Sequence, residues 1–225
     1  MPLFLLLLFF CAALSAQTPM SLPAAAAKFL PTGWKVVRLE SGDLDGDGRP
    51  DLVFVREQED PRKIRKHPSI ESAVENLNPR TLVVLLGEAG GYRLFGEYGK
   101  FIPAPSDPEN PFGLDYLGEL KLRRGVVSVG FNYFTGSSSS AGGEEFKFRL
   151  EGARFRLIGK DTSSFDRVTG VEDVVSVNLL TGQRKKTTGG NVFTDKPSRP
   201  KDTWDKVEVR KPIYLEDLPP CGREG

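Results

Sequence analysis

EFKFRLEGARFRLIGKD, residues 145–161, decides the fold. Phe146, Phe148 and Leu150 alternate with Lys147 and Arg149. Beyond a turn near Glu151–Gly152, Phe155 and Leu157 alternate with Arg154 and Arg156. Successive side chains of a strand point to opposite faces, so each half carries one apolar and one cationic face. Two such halves joined at a glycine read as antiparallel strands, one face on a core and the other in water.

The same pattern extends outward in both directions. GELKLRRG and VVSVGFNYF flank Arg124–Gly125 and form a second hairpin, with Val127, Val129, Phe131 and Tyr133 on one face. Asn132 and Phe134 face the other side, where Phe134 is a candidate binding edge beside a serine run. Upstream, WKVVRLE, DLVFVRE, TLVVLLGE and GYRLFGEY are short β-prone runs, and Ala89–Gly90 joins the last two as a hairpin. Downstream, VEDVVSVNLLTGQRKKTT adds one or two strands with a turn at Thr181–Gly182. LPAAAAKFLP allows one or two helical turns between Pro23 and Pro31, where Pro31 ends them. The expected fold is therefore mainly β, an antiparallel sheet or sandwich of roughly eight to ten short strands with one or two short helices.

Four stretches interrupt this order. Residues 57–80 form a charged insertion with room for a short helix at Ser69–Leu77. Residues 103–113 carry four prolines and read as an extended loop; residues 189–203 read as another. GSSSSAGG at 136–143 reads as a flexible hairpin tip. No shift of composition divides the chain, so residues 17–225 are expected to be a single β-rich domain with an irregular C-terminal tail.

Composition excludes several functions. Among 225 residues, 31 Lys and Arg balance 30 Asp and Glu. A net charge of +1 lacks the electrostatic footprint of a nucleic-acid binder, so no nucleic-acid partner is expected. His67 is the one histidine, which rules out a histidine-rich metal centre. Residues 3–14, LFLLLLFFCAAL, are uniformly apolar but shorter than the about 20 residues that span a bilayer. They read as the core of a secretory signal peptide occupying residues 1–16, although its first residues lack Lys and Arg. The protein is then secreted or periplasmic and keeps no stable membrane span after processing. Cys11 leaves with the signal and Cys221 is left alone, so the mature chain cannot form an internal disulfide.

GDLDGDGRPDLVFV at 42–55 carries the chemistry. Asp43, Asp45 and Asp47 stand at positions 1, 3 and 5 of a tight turn. Gly48 is at position 6, Arg49 at position 7 with its backbone carbonyl available, and Asp51 at position 9. This is the ligand spacing of an EF-hand-like Ca2+ loop, in which alternate residues aim oxygens at a cation that takes six to eight of them at about 2.3–2.6 Å. Position 12 is Phe54 instead of a bidentate glutamate, and LVFV continues as a strand, so a helix–loop–helix is not expected.

The stretch resembles the loop of FG-GAP or VCBS-type repeats of integrin-like β-propellers, where such a loop leads into a strand. That resemblance implies Asp43, Asp45, Asp47, Asp51 and the Arg49 carbonyl as Ca2+ ligands. It covers one copy, so a propeller of such repeats is not expected. The order PTGW, GDLDGDGRPDLVFV, NPRTLVVLL, FNYFTGSSS, FRLIGKDTSSFDRVTG and VNLLTG resembles small exported bacterial proteins, and that likeness implies no activity.

DTSSFDRVTG at 161–170 offers Asp161, Ser163 and Asp166, residue types that turns use for local hydrogen bonds, and a turn is the expected role. Glu144 and Glu145 are adjacent, so on a strand they point apart and cannot pair as a glycosidase needs. The expected function is an exported calcium-binding protein, more readily a non-enzymatic binding or envelope-associated module than an enzyme. Calcium would act as a structural clamp fixing Trp34–Glu40 against Leu52–Arg56, and a protein or glycan at the cell envelope is the candidate partner. The alternative is an extracytoplasmic hydrolase or hydrolase inhibitor.

Overall fold

A computed structural model describes residues 20–67, 74–106, 115–134, 139–193, 200–209 and 211–219. The chain is mainly β and its strands pair antiparallel. In order they are β1 (Trp34–Gly42), β2 (Asp51–Gln58), β3 (Ile64–Lys66), β4 (Val74–Asn76), β5 (Arg80–Glu88) and β6 (Gly91–Tyr98). Then come β7 (Leu117–Arg123), β8 (Val126–Phe134), β9 (Ser140–Glu151), β10 (Arg154–Asp166), β11 (Val171–Asn178), β12 (Gln183–Asn191) and β13 (Lys201–Lys206). They form a four-stranded sheet ordered β1-β2-β5-β6, a seven-stranded sheet ordered β13-β12-β11-β10-β9-β8-β7, and the small hairpin β3-β4.

The core lies between the two large sheets. Val53, Val55, Leu82, Val84 and Leu86 of one face Val127, Val129, Phe131, Phe146, Phe148, Phe155 and Leu157 of the other. Phe101 sits at the centre, edge-on to Phe131, Phe146 and Phe148 with ring centroids 5.4, 5.5 and 5.4 Å away. The opposite face of the four-stranded sheet is covered too. Leu52, Phe54, Val83 and Leu85 pack with Ala26, Leu22, Phe29 and Leu30 around a 3-10 helix, Ala24–Phe29. Burial on both faces explains why LVFV and TLVVLL are unbroken apolar runs where the β9–β10 hairpin alternates.

The two edges of the seven-stranded sheet differ. At β7, Arg38 of β1 reaches across and donates Nε to Gly118 O at 2.7 Å and Nη2 to Leu117 O at 3.0 Å, capping carbonyls that the edge would leave open. At the far end β13 is exposed along its whole length. Among the described residues no buried apolar core residue belongs to β11, β12 or β13.

The expected hairpins at Ala89–Gly90, Arg124–Gly125 and Gly152 form as read, and so does the helical turn before Pro31. Four expectations fail. Residues 74–76 of the anticipated Ser69–Leu77 helix are strand β4, and residues 68–73 lie outside the described residues. Residues 140–143 of the serine-glycine tip belong to β9. Asp161–Asp166 continue β10, so only residues 167–170 turn. Residues 189–191 and 201–203 of the anticipated loop are strand, pairing with β11 and β12 respectively, and residues 194–199 lie outside the described residues. In the tail, Leu215 of a 3-10 turn is buried in the core. Residues 1–16, Cys221 and the Phe134 side chain lie outside the described residues.

Candidate metal centre

The aspartate-rich loop, residues 43–50, closes the β1–β2 hairpin between the paired residues Gly42 and Asp51. Its tight path needs glycine at two points. Gly46 and Gly48 have φ of 84° and 81°, a region that an L side chain enters only with strain. Leu44 fastens the loop at its base, with its side chain in the inter-sheet core and 5% exposed.

Asp51 is the anchor. It is fully buried, and its two carboxylate oxygens accept backbone N–H bonds from Leu44 and Gly87, each at 2.7 Å. Gly87 must be glycine here, because a Cβ would stand 2.6 Å from the Pro50 carbonyl oxygen. Asp51 therefore ties the loop to β5 across the sheet.

Asp43 and Asp45 are exposed and complete a cluster with Asp51. One oxygen from each of the three lies within 4.8 Å of the others. Asp43 accepts N–H bonds from Gly46 at 2.7 Å and Gly48 at 3.1 Å, and Asp45 accepts one from Asp47 at 3.2 Å. A carboxylate oxygen has two lone pairs, so these bonds do not exhaust the acceptor capacity of the cluster. Hydrogen-bonded carboxylates are also what metal sites use to hold their ligands in place.

Asp47 is placed differently. It accepts from the Arg49 backbone N–H and Nε, both at 2.8 Å, and pairs with Arg49 Nη2 at 2.6 Å. The Arg49 backbone N–H first, and then its guanidinium, hold the Asp47 carboxyl below the usual carboxylate range. The structure thus brings Asp43, Asp45 and Asp51 together and turns Asp47 toward Arg49. Three hard oxygen donors with three negative charges fit Ca2+ better than a soft or nitrogen-preferring metal. The contributions of Leu44 and Gly87 carry no sequence signal, since Gly87 lies 36 positions from Asp51.

The two aspartates of DTSSFDRVTG are engaged separately. Asp166 accepts N–H bonds from Val168 and Thr169 and caps the β10–β11 turn, and Asp161 pairs with Lys147. Glu144 and Glu145 take opposite faces: Glu144 meets Tyr133 and Lys160, and Glu145 meets Lys121 and Lys147. His67 has a side chain only 8% exposed, with Nε2 3.6 Å from buried Glu75. No helix among the described residues is long and apolar enough to cross a membrane.

Comparison of the chain with protein-family models, curated proteins and solved structures finds no match.

Proposed function

We propose that the protein is an exported β module that binds one calcium ion in the 43–51 loop, as a structural clamp and not as a catalyst. The observation that carries this reading is the convergence of Asp43, Asp45 and Asp51, with ligand oxygens within 4.8 Å. The loop's likeness to FG-GAP and VCBS-type calcium loops agrees with it, and so does the apolar leader at residues 3–14. Bound calcium would link the two exposed carboxylates of the loop tip to Asp51, which already joins the loop to β5. The charge of the ion would offset repulsion among the three carboxylates.

Isothermal calorimetry of calcium into the purified, chelator-treated chain tests this. The expected result is one site with a dissociation constant on the order of 10⁻⁴–10⁻³ M, the range of extracellular modules. At ten times that constant, calcium should stabilise the fold by about 1.4 kcal/mol. Asp45→Asn should abolish both effects while leaving stability in chelator nearly unchanged. Absence of binding heat together with an unchanged melting temperature refutes the proposal.

A further inference from the structure

The seven-stranded sheet ends on β13, and among the described residues no strand or bridge pairs with its outer edge. All six residues of β13 are exposed, and Trp204 is 63% exposed. An open edge with a bare tryptophan is a template for another strand.

The pairing with β12 shows which backbone groups of β13 are free. Val207 donates its N–H to Gly182 O at 2.8 Å, and the register continues through Arg184↔Asp205, Lys186↔Thr203 and Thr188↔Lys201. Antiparallel partners alternate between hydrogen-bonded and non-bonded pairs. Lys201, Thr203 and Asp205 therefore direct their backbone groups to β12, and Asp202, Trp204 and Lys206 direct theirs to the open edge.

We propose that β13 is a homodimer interface. Two copies pair β13 antiparallel to β13, with Trp204 opposite Trp204 on the two-fold axis and Asp202 opposite Lys206. In this register all three outward-facing residues meet outward-facing partners, and each pair exchanges both of its backbone bonds. Side chains at paired positions share a face. One face of the joint sheet then holds the tryptophan pair flanked by an Asp202–Lys206 ion pair on each side. The other sets the Thr203 hydroxyl opposite the Asp205 carboxylate.

Other registers fail on the same two counts. A one-residue slip in either direction sets outward backbone groups against inward ones, and in one direction it also faces Lys201 with Lys206 and Asp202 with Asp205, like against like. A two-residue slip leaves at least one outward residue unpaired. Hydrogen bonding and charge thus select one alignment, and the arrangement is a closed, isologous pair. A six-residue strand buries less than the roughly 1,200 Å² of a stable interface, so the expected dissociation constant is on the order of 10 µM.

Sedimentation velocity over a concentration series tests this on the purified chain. The expected result is a rise from the monomer mass to twice that mass. Lys206→Asp should abolish the rise by facing Asp202 with a like charge, and Lys206→Arg, which keeps the cation, should retain it. Trp204→Pro removes an N–H that points away from β12, so it should give a monomer with an unchanged circular-dichroism spectrum and melting curve. A cross-link fixes the register. With Cys221 changed to serine, Trp204→Cys should oxidise to a covalent dimer, since Cα atoms of a bonded pair stand about 5.5 Å apart. Thr203→Cys, one residue out of line, should not. A chain that stays monomeric throughout, or one that cross-links through Thr203→Cys in preference to Trp204→Cys, overturns the proposal.

Discussion

Replacing Asp51 by alanine separates what the protein contributes to the loop from what a cation adds. The carboxylate is fully buried and accepts from Leu44 and Gly87 at 2.7 Å each. Hydrogen bonds to a charged group contribute about 1.5–3 kcal/mol apiece, and a buried donor left without a partner loses a similar amount. Two such bonds set the expected loss at about 3–6 kcal/mol in chelator, toward the lower end if water enters the vacated space. Asp51→Asn keeps one acceptor but sets an NH2 group against a backbone N–H, so roughly half of that loss should follow. Urea unfolding followed by tryptophan fluorescence, in chelator and in calcium, measures both. The native chain should gain the calcium increment of about 1.4 kcal/mol at ten times the dissociation constant, and Asp51→Ala should gain none. A loss below about 1 kcal/mol in chelator would refute Asp51 as the anchor of the loop.

Three further outcomes follow from other parts of the fold. Phe101→Ala removes the ring at the centre of three edge-on contacts and should cost about 3–5 kcal/mol in denaturant unfolding, with a smaller loss for Phe101→Leu. Arg80, 4% exposed, bonds buried Glu57 and forks onto Asp115. Arg80→Ala should cost about 3 kcal/mol, near the lower bound for breaking a buried pair, because Lys35 and Asn76 still meet Glu57; urea midpoints of the single variant and of Arg80→Ala with Glu57→Gln measure it. Burial, and then the charge of Glu216, push the Tyr98 hydroxyl up from 10.0 to about 12. The folded state thus keeps a proton that the unfolded chain releases, so this contribution to stability is complete below pH 10 and is lost as the pH rises toward 12. Ultraviolet titration of the native chain and of Tyr98→Phe should differ by one tyrosine that ionises near pH 12; a difference that appears near pH 10 contradicts it.

The β7–β8 and β9–β10 hairpins were legible because their signals are local: apolar residues at period two, and Arg124–Gly125 or Gly152 at the turns. β13 was not. KDTWDK has both faces in water, so nothing alternates, and its strand state comes from pairing with β12. DTSSFD reads as turn chemistry, yet β9 and β11 hold it extended on either side. In the loop, the aspartate spacing drew attention to all four carboxylates. It could not reveal that Asp51 is buried while Asp47 turns to Arg49, because the first depends on β5 and the second on a side-chain rotamer. Nor does LVFV announce that a turn of alanines some 25 positions earlier covers its second face.

Arg38 has a consequence for how large an assembly this sheet can build. Arg38 covers the Leu117 and Gly118 carbonyls of β7, so under the proposed β13 pairing the sheet has one reactive end. In the language of polymer chemistry such a monomer is monofunctional: joining two of them consumes the end of each, and the product has nowhere to grow. A sheet open at both ends would be bifunctional and would propagate into a fibre. Exposing Gly118 and Leu117 by Arg38→Ala would supply the second functionality, and light scattering should then report association that continues past the dimer.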